Sequence, residues 1–146
     1  IPLKVRWFGL STVLIAHDPE LMELMGRSGC RGLLLGLESI TPGSLKDANK
    51  RFNSSVDYKA LIGHLHELGI AIQGCFVFGL DHDTPAVFDD TAAFAIEQGI
   101  DLPRFAILTP FPGTPLHRRL RVRHPHRNLV LLGPAHFASR ARICFA

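Results

Sequence analysis

The chain has 146 residues, 47% of them hydrophobic, which bounds it to one domain with enough apolar side chains for the core of an ordinary α/β protein. Its formal charge of +3 is unevenly spread: residues 1–120 carry 11 Lys and Arg against 13 Asp and Glu, while residues 121–146 carry five Arg and no acid. The basic balance therefore belongs to the tail and says nothing of the body, and no apolar run approaches the ~20 residues of a membrane span.

Taken in chain order, Ile1 to Leu10 has neither an initiator Met nor the basic and apolar stretches of a signal peptide, so it reads as the interior of a longer protein. Trp7 to Ile15 reads as a strand with a glycine interruption. Asp18-Pro19-Glu20 then supplies a cap, a first-turn proline and an acid, and Leu21, Leu24 and Met25 recur at helical spacing until Gly29. Leu33 to Leu37 predicts a buried strand ending in Glu38-Ser39. Thr41 to Gly43 reads as a break, Leu45 to Lys50 as a short helix, and Ser55 to Leu68 as a longer one with Leu61, Ile62, Leu65 and Leu68 on its apolar face. Ile70 to Phe78 predicts the third strand, Ala86 to Gln98 a helix stopped by Gly99, and Phe105 to Leu108 the fourth strand. Strand and helix alternate throughout. That order, β-α-β-α-β-α-β, predicts a parallel α/β sheet with right-handed crossovers; four strands cannot close an eight-stranded barrel.

In such folds ligands sit at the carboxyl ends of the strands. The segment Gln73 to Pro85, QGCFVFGLDHDTP, has that character: an apolar run ends at Gly79, where the backbone must turn or let a ligand approach, and polar residues follow. Asp83 is expected to cap the helix opened by Pro85. Three cysteines, Cys30, Cys75 and Cys144, leave an odd thiol and contain no Cys-x-x-Cys spacing, which favours a reducing cytoplasm over a disulfide framework.

Three segments together, GCRGLLLGLES (Gly29 to Ser39), GIAIQGCFVFGLDHDT (Gly69 to Thr84) and RFAILTPFPGTPL (Arg104 to Leu116), resemble radical S-adenosylmethionine (SAM) enzymes of the type that carries a cobalamin-binding domain. The match runs over about residues 7 to 120, specific as a set and weak motif by motif. The resemblance implies strands three to six of a partial parallel (β/α)6 barrel, and a cleft that holds SAM against a 4Fe-4S cluster, where one electron splits the sulfonium to give a 5′-deoxyadenosyl radical. It places Glu38 and Ser39 near the ribose and amino-acid portion of SAM, Val77, Phe78 and Gly79 beside the adenine, and Thr109 and Pro110 at the sixth-strand end bordering the same cleft. A carboxylate accepts from a ribose hydroxyl or an ammonium, so the assignment of Glu38 is chemically sound. The resemblance also implies cobalamin as a cofactor of the full-length parent, whose cobalamin domain is not among these residues.

The chain departs from that family where the cluster would be ligated. The expected Cys-x-x-x-Cys-x-x-Cys is missing, and no two of Cys30, Cys75 and Cys144 are close in sequence, so these residues by themselves are not expected to hold a cluster or to cleave SAM. The amino-terminal half of the barrel is the partner the resemblance calls for.

After Leu120 the resemblance stops, and residues 121–146 read as an irregular basic tail. One allowed coding of Arg123 to Pro134, read one base later, resembles the family's continuation, which points to a frameshift in the gene. Two other readings stand beside the enzymatic one: a non-catalytic half-barrel or pseudogene product, and weak, salt-sensitive nucleic-acid binding through the tail. The tail lacks metal-ligand spacing, interleaved aromatics and a recognition helix, so specific nucleic-acid binding is not expected.

Simpler roles compete at each position. Glu38 taken alone is a solvated loop carboxylate. Asp81-His82-Asp83 needs no metal once Asp83 acts as a cap; His64 and His66 fall on different helix faces; and Lys46, Lys50 and Arg51 form a solvated face or a basic rim for a charged substrate. Cys30 and Cys75 are most simply small buried residues.

Overall fold

The computed structural model of the protein describes residues 5–123. They form a four-stranded sheet in the order β1-β2-β3-β4, with β1 at Trp7–Ser11, β2 at Cys30–Glu38, β3 at Ala71–Phe78 and β4 at Leu102–Ile107. The β1/β2 and β2/β3 pairs are parallel, as expected from the alternation. Helices α1 (Pro19–Arg27), α2 (Pro42–Asp47), α3 (Tyr58–Glu67) and α4 (Val87–Gln98) lie in the connections, and α5 (Pro115–Arg123) follows β4. Two compact units are distinguished, the first ending at Ala106 and the second beginning at Ile107. Among the described residues no helix is long and apolar enough to cross a membrane.

Strict alternation builds the core of the first unit. Leu33, Leu35 and Leu37 of β2 and Ile72 and Phe76 of β3 are buried in one cluster with Met22 of α1, Leu61, Ile62 and Leu65 of α3 and Ala95 of α4. Each of the Leu, Ile, Met and Phe side chains contributes about 1.5 to 3 kcal/mol through burial. Phe76 also meets Phe94 edge-on, 6.2 Å between ring centres, and stacks on Phe105 at 5.8 Å. The opposite face of the sheet is built from Phe8, Leu10, Leu34, Gln73 and Cys75, and it is only partly covered: Phe8 is 54% and Leu10 78% exposed.

Several boundaries differ from the sequence expectation, each for a local reason. Val13–His17 is a 3-10 helix and not the end of the first strand, because it turns Val13 and Ile15 into the core. Pro42 begins a helix instead of breaking one, since proline is well placed in a first turn. The long helix expected from Ser55 is two elements: a 3-10 helix at Arg51–Ser55 and then α3, whose start is set by the Asp57 carboxylate accepting the Ala60 N–H at 3.0 Å. The cap at Asp18 is as expected, accepting the Leu21 N–H at 3.0 Å. β4 starts earlier than expected, at Leu102, and its residues are all exposed, as befits an edge strand carrying Pro103. Of the tail expected at residues 121–146, residues 121–123 complete α5, and the remainder lies outside the described residues.

At the amino end of the sheet, the Asp101 carboxylate accepts the Ile72 N–H at 2.7 Å and lies 2.8 Å from His66 Nε2. Burial pushes this carboxyl up, but the Ile72 N–H and the His66 ring outweigh it and hold it below the ordinary aspartate value. The bonds join the end of α3, the start of β3 and the approach to β4.

Candidate functional site at the carboxyl end of the sheet

β2 does not end as a regular strand. Its pairing with β3 runs Gly36 to Cys75 and then Glu38 to Phe76, skipping Leu37, so the last residues form a bulge. Glu38 adopts φ 67°, a left-handed conformation unusual for a residue with a side chain, which costs of order 1 to 2 kcal/mol. The turn folds the carboxylate back across Gly36: a Cβ at position 36 would lie 2.8 Å from Glu38 Oε1. Position 36 therefore has to be glycine for Glu38 to hold this pose.

The Glu38 carboxylate lies 3.7 Å from Lys50 Nζ, and both side chains keep solvent access, 26% for Glu38 and 32% for Lys50. The Lys50 ammonium also sits 5.5 Å from the centre of the Phe52 ring. Ser39, next to Glu38, is buried and its hydroxyl oxygen accepts the Thr41 N–H at 3.0 Å, which leaves the hydroxyl proton to donate.

The end of β3 is built differently. Gly79 takes φ 93°, and the following loop is clamped by one carboxylate: Asp83 accepts the Gly79 N–H at 2.8 Å, the Leu80 N–H at 3.0 Å and the Ser44 hydroxyl at 2.9 Å. The expected cap at Asp83 is thus corrected. α4 starts later, at Val87, with no side-chain cap, and Asp83 is committed to the loop before it. Among the described residues no group of three His, Cys, Asp or Glu is arranged to hold a metal ion.

Of the residues singled out in the sequence, Glu38 and Ser39 lie at the end of β2, and Val77, Phe78 and Gly79 at the end of the adjacent β3. Val77 alternates onto the same face as Cys75. Phe78 points the other way, into the helix layer, 4.6 Å from the Phe88 ring and 5.4 Å from that of Phe105, so its side chain is turned from the face that carries Glu38. The alternation of a strand puts neighbours on opposite faces, which the resemblance by segment did not resolve. Thr109 and Pro110 follow β4 in the second unit, where the Thr109 hydroxyl donates to the Ile107 carbonyl at 3.1 Å.

Cys75 faces Gly36 across the β2/β3 ladder and is half-buried. Burial raises its thiol above the usual value, Arg104 pulls it down and Glu38 pushes it up, which places all three groups in one electrostatic neighbourhood. Cys30, by contrast, is fully buried.

No known family profile matches the chain. It is 44% identical over 124 residues to bacteriochlorophyllide d C-12(1)-methyltransferase of Chlorobaculum tepidum, covering 84% of this chain and 27% of that protein. The chain belongs to the radical SAM superfamily, in its cobalamin-binding branch. A further member of this branch, the anaerobic magnesium-protoporphyrin IX monomethyl ester cyclase of Cereibacter sphaeroides, is 31% identical over 123 residues, covering 83% of the chain and 20% of the cyclase. Among solved structures, the radical SAM methyltransferase TsrM from Kitasatospora setae, described with cobalamin and a [4Fe-4S] cluster bound, superposes with a TM-score of 0.71 at 22% identity, over 82% of this chain and 23% of that one. The fold is therefore that of a radical SAM core in part, four successive parallel strands of a (β/α) barrel. The chain spans about a quarter of the length of the curated relatives it matches.

The residues present fit one of the family's groups and not the other. A carboxylate and an ammonium 3.7 Å apart, both accessible, are complementary to the two charges of an α-amino acid such as the methionyl end of SAM. The cluster finds no such reception among the described residues: Cys30 and Cys75 are their thiols, and no third His, Cys, Asp or Glu is grouped with either of them to hold a metal.

Proposed function

We propose that this chain supplies the carboxyl-terminal part of the SAM cleft in a radical SAM enzyme, with Glu38 receiving the ammonium or ribose hydroxyls of SAM and Lys50 its carboxylate. The supporting observation is the Glu38–Lys50 pair, held open at the carboxyl end of β2 by a strained backbone and a glycine. Ser39 offers a hydroxyl beside it, and Val77 and Gly79 offer an apolar and close-approach border for the adenine, with Phe78 contributing through its backbone. When bound, SAM supplies a sulfonium that one electron from the cluster cleaves; Glu38 and Lys50 hold geometry and move no proton.

The cluster cysteines belong to the other part of the barrel, which is the partner this reading requires. The reaction assigned to the parent is methyl transfer, as in the bacteriochlorophyllide methyltransferase, and cobalamin is its second cofactor. A cytoplasmic location goes with this reading.

Glu38→Gln is the direct test. Exchanging one charged hydrogen bond for a neutral one costs about 1.5 to 3 kcal/mol, so SAM affinity in the complete enzyme is expected to fall roughly 10- to 150-fold at unchanged iron content. Unaltered affinity by equilibrium dialysis removes Glu38 from the site. For the chain by itself, anaerobic treatment with iron and sulfide is expected to leave no stoichiometric cluster, and 5′-deoxyadenosine formation in that sample would overturn the assignment of the ligands to the partner half.

A further inference from the structure

Asn53 is fully buried, 0% exposed, although it sits in a short 3-10 helix between two loops. Its side-chain amide donates twice, to the Gly36 carbonyl at 3.0 Å and to the Leu37 carbonyl at 2.8 Å. These are the carbonyls beside the bulge, where the pairing between β2 and β3 skips Leu37. A ladder interrupted in this way must find other donors for its buried carbonyls, and one amide supplies both.

The same residue reaches the other half of the charged pair through its backbone. The Asn53 N–H donates to the Lys50 carbonyl at 2.9 Å, and the Asn53 carbonyl accepts the Tyr58 hydroxyl at 2.9 Å. Burial pushes the Tyr58 hydroxyl up to about 12, so it remains a donor at any ordinary pH. One residue thus ties the strand that carries Glu38 to the turn that carries Lys50, and is itself anchored to the start of α3.

We propose that Asn53 is a positioning residue for the SAM site: it sets the separation of the Glu38 carboxylate from the Lys50 ammonium and sustains the left-handed backbone of Glu38. This rests on the reading of Glu38 and Lys50 given above. Asn53 touches no ligand; it acts through the Gly36 and Leu37 carbonyls on one side and the Lys50 carbonyl on the other. Among the described residues it is the amide donors, and not Oδ1, that tie the Asn53 side chain to its surroundings.

A double-mutant cycle on SAM affinity, measured by equilibrium dialysis in the complete cluster-loaded polypeptide, separates positioning from mere folding. Asn53→Ala is expected to weaken SAM binding about 10- to 100-fold when Glu38 is present and less than about threefold in a Glu38→Gly background, because there is no carboxylate left to position. Asn53→Ser keeps one hydroxyl donor and is expected to fall between, about 3- to 10-fold; it also serves if the alanine variant does not fold. An independent readout is the solvent exchange of the Asn53 side-chain amide protons, followed by NMR in the same complete polypeptide: exchange slowed well below that of a surface asparagine is expected, and exchange at the surface rate would overturn the proposal. Equal losses in both backgrounds, or full SAM affinity in Asn53→Ser and Asn53→Ala, overturn the proposal. If Glu38→Gly itself leaves affinity unchanged, the assignment of the SAM site fails first, and with it this inference.

Discussion

At the amino end of the sheet the Asp101 carboxylate takes two hydrogen bonds, from the Ile72 N–H at 2.7 Å and from His66 at 2.8 Å, whereas at the carboxyl end the Glu38 carboxylate faces Lys50 across 3.7 Å. Backbone geometry follows the same division. Asp101 ties ordinary segments together, while Glu38 stands at φ 67° in a bulge. Asp101 Oδ2 accepts from a backbone N–H and a ring N–H at once, which commits that carboxylate to joining segments of the fold. A carboxylate held in a strained pose with its oxygens accessible gives up stability and keeps its hydrogen-bonding capacity for something else.

The comparison is sharpened first at Asp83, the exception on the carboxyl side, since its three bonds resemble those of Asp101 more than those of Glu38. Asp83→Ala is expected to destabilise the chain by about 2 to 3 kcal/mol, because it frees the Gly79 and Leu80 N–H groups together. Urea denaturation measures this, and a change below about 0.5 kcal/mol would mean that the β3 end holds itself.

Glu38→Gly goes the other way. Glycine occupies the left-handed region without strain, so the variant is expected to gain about 1 kcal/mol in stability while SAM affinity is lost. A destabilised Glu38→Gly would break the contrast between the two ends, by showing that Glu38 contributes to the fold as Asp101 does.

The smallest effect is expected for Asp101→Asn, about 1 kcal/mol at neutral pH, discounted because the Asp101 side chain is 43% exposed and screened by solvent. Its folded pKa is depressed, so its contribution is present above the unfolded aspartate value of about 3.9 and disappears as pH falls through the lower folded value. Melting curves of the two proteins should therefore differ at pH 7 and draw together as the pH is lowered below the ordinary aspartate range; a difference that does not shrink would assign the effect to shape and not to charge.

Much of this architecture was legible in the residues themselves. The parallel order, the Asp18 cap, the apolar stripe of α3 and the glycine turn at position 79 follow from spacing and from turn chemistry, which are local properties. What escaped is non-local. A register slip at Leu37 leaves no trace in the hydrophobic pattern of β2, and the role of Asn53 depends on carbonyls 16 and 17 residues away. Asp83 looked like a cap because a carboxylate near a helix start serves that purpose equally well in the abstract; only the turn at Gly79 and the approach of Ser44 decided between them. The parity of β3, which sends the Phe78 ring to Phe88 of α4, is likewise something that a likeness by segment does not carry.

The uncovered apolar face also bears on handling the protein. Phe8 and Leu10 project from β1 at 54% and 78% exposure, and Leu102 and Phe105 of β4 remain 59% and 48% exposed. Among the described residues β1 and β4 are the outer strands of the sheet, and apolar edge strands invite intermolecular pairing. Yield and colloidal behaviour in purification will therefore depend on concentration and on what is co-expressed, and light scattering during a dilution series is the practical gauge of whether a preparation is fit for the binding measurements above.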